Sequence, residues 1–188
     1  MDQMEGFMRK SIAVDMDQVL ANFFDKILVE ARALYGKELT IKEIFQGEHD
    51  AEDQRKFWEM VNEPGFFRDL AVLDEDAYDV LKELNETYDI YIATAAMDVP
   101  GSFTAKYEWL LEHFPFLNPQ YFIFCGNKKV VNADYLIDDT VQQLRNFTGQ
   151  GILFDQPTNA GSDEFPRVYG WKGVREYFAN VEVEVNTK

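Results

Sequence analysis

The chain is short of cysteine, of histidine and of positive charge. Its 188 residues include one cysteine, Cys125, and two histidines, His49 and His113. A single cysteine excludes an intrachain disulfide and leaves no basis for a cysteine-ligated zinc site. The two histidines lack the spacing of a metal-binding pair and read as exposed or ordinarily packed side chains. Lysine and arginine number 18 against 34 aspartates and glutamates, a formal charge of −16. That balance argues against tight binding to a nucleic-acid polymer, which needs a basic footprint. No apolar run approaches the roughly 18 residues of a membrane span. The segment Met1–Arg9 is polar and acidic, without the basic-then-apolar order of a signal peptide. A cytoplasmic protein with neither nucleic acid nor membrane among its partners is expected.

What is present is a core. Hydrophobic residues make up 46% of the chain and aromatics 15%, enough for a packed globule of this length. The most informative stretch is Ser-Ile-Ala-Val-Asp-Met-Asp-Gln-Val-Leu, Ser11 to Leu20. A short apolar strand there delivers two carboxylates, Asp15 and Asp17, to its end. Two acids so close are costly unless a cation or shared chemistry compensates them.

Leu20, Phe23, Phe24, Ile27, Leu28, Ala31 and Leu34 recur at helical spacing up to a stop at Gly36. Thr40-Ile-Lys-Glu43 has the form of a capping box. Asp50 is placed to cap a third helix carrying Phe57, Trp58 and Val61, before the turn signal Pro64-Gly65. Beyond it, Asp74 reads as the cap of a helix with Val80, Leu81 and Leu84 on one face. Strands are expected at 89–95, 121–125, 135–137 and 151–154. Helices are expected at 102–114, after a Thr140 cap, and at 171–178. Short apolar strands alternating with helices predict an α/β, doubly wound, mostly parallel sheet. The helical block falls between the first strand and the rest, so residues 19–72 read as a small helical cap inserted into a core of 1–18 and 73–188.

In such sheets ligands bind outside the carboxyl ends of the strands. Asp15/Asp17, Thr94 and Asp138/Asp139 all end strands, and Lys128 follows another. A carboxylate can attack phosphorus once the phosphoryl charge is neutralised. Asp15 is the candidate nucleophile, and Asp17 the acid that protonates the leaving oxygen and then activates water. Mg²⁺ takes oxygen ligands and one or two carboxylates, which Asp15 and one of Asp138/Asp139 can supply. Thr94 and Lys128 are the candidate phosphate-binding residues. Alternatively, Asp138-Asp139 serves only to cap the next helix, Thr94 caps a loop, and Lys128 is solvated like Lys129. Phe23, Phe45, Phe66 and Phe67 read as core on general grounds, Trp58 and Trp171 as packing, and Cys125 as a small buried hydrophobe.

Asp15-Met-Asp-Gln-Val-Leu-Ala-Asn-Phe23 resembles the first motif of the haloacid-dehalogenase-like (HAD) phosphatases, Asp-x-Asp-x-Thr/Val. Ile92-Ala-Thr-Ala95 is similar to their second motif, Lys128 to the third and Leu136-Ile-Asp-Asp139 to the fourth. Within that superfamily the chain looks most like the 5′(3′)-deoxyribonucleotidases, through Pro64-Gly-Phe-Phe67, Lys128-Lys-Val-Val131, Phe154-Asp-Gln-Pro157 and Trp171. The resemblance implies a HAD-like Rossmannoid fold and Mg²⁺ held by Asp15, the backbone carbonyl of Asp17 and Asp139. It implies hydrolysis of deoxyribonucleoside monophosphates through an aspartyl-phosphate, with cap aromatics on the base. Phe23 and Phe45 are the candidates for that contact. It also allows a homodimer. Two departures stand out: Ala95 replaces a serine of vertebrate members, and Gly126 an arginine. A phosphatase for another small phosphomonoester, such as a sugar phosphate, and an idle binding module are the rival readings.

Overall fold

The computed structural model describes residues 9–36, 38–47, 50–63 and 65–186. His49, and Pro64 of the expected Pro64-Gly65 turn, lie outside the described residues. Six strands form one sheet: β1 (Ser11–Val14), β2 (Asp89–Ala95), β3 (Phe122–Cys125), β4 (Tyr135–Asp138), β5 (Gln150–Phe154) and β6 (Arg167–Val168). Their order is β3-β2-β1-β4-β5-β6, and the five pairings are all parallel. The chain moves outward from β1 in one direction, then returns to β1's other side at β4 and moves outward again. The crevice between β1 and β4 is therefore the switch point at which an open α/β sheet binds ligands.

Both sheet faces are covered, which is why β1 and β4 read as continuous apolar runs instead of alternating ones. Strand alternation still sorts the side chains. Ile12, Val14, Ile92, Ile137 and Ile152 join one core cluster with buried residues from six of the helices. Ala13, Ala93, Leu136 and Leu153 face the other way, onto Val131, Leu144 and Phe147.

Among the described residues four helices follow β1 before β2, and the first three form the inserted segment: α1 (Phe23–Tyr35), α2 (Ile41–Gln46) and α3 (Ala51–Val61). Gly36 takes the left-handed conformation (φ 66°) that closes α1, and its N–H donates to the Arg32 carbonyl. Thr40 and Glu43 form the expected capping box of α2. Asp50 caps α3 by accepting from the Asp53 N–H at 2.8 Å. Leu20 is not in α1. It lies in a tight turn whose N–H groups at 20 and 21 both donate to the Met16 carbonyl. The backbone entering this helical segment lies beside the backbone leaving it. The Asn22 N–H donates to the Ala71 carbonyl, and the Leu73 N–H to the Leu20 carbonyl.

The remaining helices are α4 (Ala77–Thr87), α5 (Phe103–His113), α6 (Val141–Asn146) and α7 (Gly170–Asn186). Asp74 does not cap α4, whose N-cap position is Asp76. Its carboxylate instead accepts from the N–H groups of Asp76 and Trp171, joining the starts of α4 and α7. Trp171 is buried and donates to the Val19 carbonyl at 2.8 Å, as its packing role predicts. Trp58 departs from that expectation: it is half exposed, edge-on to Phe57. No helix among the described residues is long and apolar enough to cross a membrane.

Candidate active site

The switch point gathers the strand-end residues. The Asp15 N–H donates to the Ile137 carbonyl at 2.9 Å, so Asp15 and Asp138 leave β1 and β4 side by side. Carboxylate oxygens of Asp15, Asp138 and Asp139 all lie within 4.8 Å of one another. Lys128, 1% exposed, extends its ammonium between two of them, 2.5 Å from Asp15 Oδ1 and in contact with Asp138 Oδ2. Both Asp138 oxygens have a partner, the second accepting from the Thr140 N–H at 2.8 Å. Among the described residues Asp139 accepts only a long 3.3 Å bond, from the Thr140 hydroxyl. The expected capping alternative is thus half realised: Asp138 ties down the start of α6, while Asp139 is left for other work.

The electrostatics of this cluster would favour a bound cation. Burial is the largest influence on Asp15. With the charges of Asp138 and Asp17 it outweighs the pull of Lys128 and raises the carboxyl to about 7. Burial, then the charges of Asp138 and Asp15, hold Asp139 well above the ordinary carboxylate range. Burial would lower Lys128, but the charges of Asp138 and Asp15 reverse that, and its ammonium is held above its usual value. One ammonium therefore compensates three carboxylates incompletely. Burial raises the neighbouring Cys125 thiol, so it sits there as an inert hydrophobe.

Thr94 is the penultimate residue of β2 and is 1% exposed. Its hydroxyl accepts from the ammonium of Lys106 at 3.0 Å, and the same ammonium contacts Asp17 Oδ2. Lys106 stands outside the four motifs. Its signal is in the sequence nonetheless: it shares the apolar face of α5 with Trp109 and Leu110, where an unpaired charge would not be tolerated. Gln18 is the other residue that motif reading passes over. It turns the chain at φ 59° directly after Asp17, is buried, and its amide nitrogen has no partner among the described residues.

Above the acids lies a cavity of about 290 Å³. Its lining joins the polar residues Asp15, Asp17, Gln18 and Asp139 to the rings of Phe23, Phe24 and Phe45. Phe23 stacks on Phe67 at 5.7 Å between centroids, with Phe66 edge-on at 6.0 Å. Phe66 and Phe67 are buried, as a core reading requires. Phe45 is 47% exposed and leans on Phe24. Ala95 opens onto the same cavity. Gly126 packs against Met97, whose Cβ would stand 3.3 Å from any Cβ placed there. His113 rests against the Trp109 ring at 4.5 Å, away from the acids.

Comparison with known proteins agrees with this arrangement. Residues 9–183 match the family described as 5′ nucleotidase, deoxy (pyrimidine), cytosolic type C protein. A Staphylococcus aureus (strain Mu50) protein named "Putative 5′(3′)-deoxyribonucleotidase" is 50% identical over 185 residues, 93% of this chain and 98% of the relative. The 5′(3′)-deoxyribonucleotidase of Bacillus subtilis (strain 168) is 36% identical over 173 residues, 89% and 97% of the two chains. Among solved structures, a HAD-like family hydrolase from Streptococcus pneumoniae aligns with a TM-score of 0.53 at 16% identity, covering 90% of this chain and 98% of its own. The Bacillus subtilis protein called "putative HAD-hydrolase YfnB", bound to magnesium, aligns with a TM-score of 0.60 at 13% identity and the same coverage. At such identities these structures establish the fold alone. With the family match spanning nearly the whole chain, this protein belongs to the 5′(3′)-deoxyribonucleotidase family of HAD-like hydrolases.

Proposed function

We propose that this chain is a Mg²⁺-dependent 5′(3′)-deoxyribonucleotidase, hydrolysing deoxyribonucleoside monophosphates to nucleoside and phosphate through an aspartyl-phosphate. One observation carries the reading. Three carboxylates meet within 4.8 Å at the sheet's switch point, beneath a cavity walled by Phe23, Phe24 and Phe45.

The donor set fits magnesium. All three groups are hard oxygen donors, and Mg²⁺ accepts one or two carboxylates while keeping water and phosphate oxygens. Asp15, Asp17, Asp138 and Asp139 face the ammonium groups of Lys106 and Lys128. The acids outnumber the ammoniums, and a divalent cation would offset the negative charge they develop on ionisation. Asp15, Asp139 and the backbone carbonyl of Asp17 would hold it. Bound there, the metal would neutralise phosphoryl charge and orient the ester for attack.

The chain's own groups then divide the work. An Asp15 carboxylate oxygen attacks phosphorus, and the bond from phosphorus to the nucleoside oxygen breaks. Asp17 gives that oxygen a proton. Asp17 next takes a proton from water, the water oxygen bonds to phosphorus, and the bond to Asp15 breaks to release phosphate. Lys128 and the Thr94 hydroxyl stabilise charge on the phosphoryl oxygens. The aromatic wall offers a flat apolar surface to the base, a contact that suits any π-face. The names of the Staphylococcus and Bacillus relatives support the nucleotide substrate.

A panel of phosphomonoesters assayed with Mg²⁺ tests this. dUMP and dTMP should outrank sugar phosphates in kcat/KM. If sugar phosphates rank equal or higher, the nucleotide assignment goes and the phosphatase chemistry stays. Turnover at background on every ester would favour the idle binding module.

A further inference from the structure

Lys106 is a buried ammonium, 1% exposed, delivered from the first turn of α5 and not from a strand end. An ammonium in that position must spend its three N–H groups or pay for leaving them unmet. Its environment supplies three partners from three parts of the chain. Asp17 Oδ2 comes from the turn after β1. Thr94 Oγ1, at 3.0 Å, comes from the end of β2. The face of Phe67, with its centroid 4.6 Å away, comes from the segment after α3.

We propose that Lys106 is a positioning residue for the phosphate-transfer reaction, holding the Asp17 carboxylate by one oxygen and aiming the Thr94 hydroxyl at the phosphoryl group. The inference rests on the proposed roles of Asp17 and Thr94.

Two features of hydrogen-bond chemistry carry it. Asp17 is gripped through Oδ2, while Oδ1 is buried and without a partner among the described residues. A carboxylate fixed at one oxygen presents the other in a constant direction, which proton delivery to a leaving oxygen needs. The second feature is the Thr94 hydroxyl, which has one hydrogen and two lone pairs. Lys106 occupies a lone pair, so the hydrogen must go to a different acceptor. On the crevice side of β2 that acceptor is an oxygen of the bound phosphoryl group. One side chain thus sets both the acid and a phosphate donor, and a purely packing residue would do neither. The Phe67 contact extends the link. Phe67 stacks on Phe23, so the group that orients the acid also touches the aromatic wall of the substrate cavity.

The test is a kinetic cycle. Lys106→Met, Asp17→Asn and the double variant are assayed with Mg²⁺ on dTMP and on p-nitrophenyl phosphate, whose leaving oxygen needs little protonation. Circular dichroism melts confirm that each is folded. Should Lys106→Met not fold, Lys106→Gln, which keeps a donor without the charge, takes its place. Loss of aim on this scale is expected to cost about 100-fold in kcat on dTMP. The loss on p-nitrophenyl phosphate should be several-fold smaller, with KM little changed on either. In the Asp17→Asn background the Lys106 substitution should add almost nothing, because groups that act as a unit are strongly non-additive. Equal losses on the two esters, or losses that multiply in the double variant, would overturn the positioning role. Failure of the parent reading is separate: it appears as wild-type protein that turns over neither ester.

Discussion

Asp15 and Asp138, at the ends of adjacent parallel strands, share the ammonium of Lys128. Strand order makes this pairing, since β1 and β4 are neighbours in the sheet although paired residues such as Ile12 and Tyr135 are 123 positions apart in sequence. The arrangement leaves Asp138 satisfied, Asp15 partly compensated and Asp139 with little besides a long bond from Thr140. Such inequality among three neighbouring carboxylates suits the proposed division of labour, in which Asp138 holds the lysine, Asp15 attacks and Asp139 completes a metal shell.

Asp15→Asn is expected to remove turnover while preserving the fold. The amide has the shape of the carboxylate but cannot form the phosphoryl bond, so a fall in kcat of roughly 10⁴-fold or more is expected. Buried Asp15 is costly as an anion, so the variant's melting temperature should be unchanged or higher. Near-normal release of phosphate from dTMP would remove Asp15 from the role of nucleophile.

Lys128→Met addresses stability. It strands the Asp15 and Asp138 carboxylates in a buried crevice without their cation. Breaking a buried ion pair from one side costs about 3–5 kcal/mol. Urea unfolding of the metal-free variant should show that loss. A change below about 1 kcal/mol would mean that water already screens the crevice.

The dependence of stability on pH follows from Asp15. Its carboxyl is raised from 3.8 to about 7 in the folded chain. Between those values the native state keeps a proton that the unfolded chain has lost. The contribution of Asp15 to metal-free stability is therefore full below 3.8 and declines as pH rises through about 7. Mg²⁺ favours the ionised form, so it should raise the melting temperature more at pH 8 than at pH 5. Asp15→Asn should weaken both trends, leaving the part that the raised Asp139 carboxyl carries. Thermal melts in EDTA and in Mg²⁺ across this range read the effect, and a magnesium shift larger at pH 5 would contradict it.

Phe45→Ala separates base recognition from phosphate chemistry. Phe45 is half exposed at the cavity rim, so its loss costs the fold little. If the ring stacks on the base, KM for dTMP should rise by about tenfold. Hydrolysis of p-nitrophenyl phosphate, which has no base, should be unaffected. A parallel rise in KM for both esters would show that Phe45 shapes the cavity without contacting a base.

Much of this architecture was legible because local and global preferences agree. The strand at 89–95 and the caps at Thr40 and Asp50 are found where spacing predicts them. The failures have local causes. Leu20 continues the apolar period of α1, but the tight turn on the Met16 carbonyl takes it out of the helix. Asp74 has the chemistry of a cap, yet the start of α7, 97 residues on, competes for its carboxylate. β6 is two residues long, too short for any period to register, and exists only because β5 offers it an edge.

The candidate site divides along the same line. Asp15, Asp17, Thr94, Lys128 and Asp139 were readable because each sits where an apolar strand stops and polar chemistry begins. The chain alone determined which residues could react. Tertiary structure decided which would meet: it placed Asp138 on Lys128, brought Lys106 from a helix to Asp17 and Thr94, and set Phe24 beside Phe23 and Phe45. The reason is physical. A strand's periodicity and its end are local and survive in one dimension. The partner of a buried charge is chosen by desolvation in three dimensions, among groups that sequence distance does not rank.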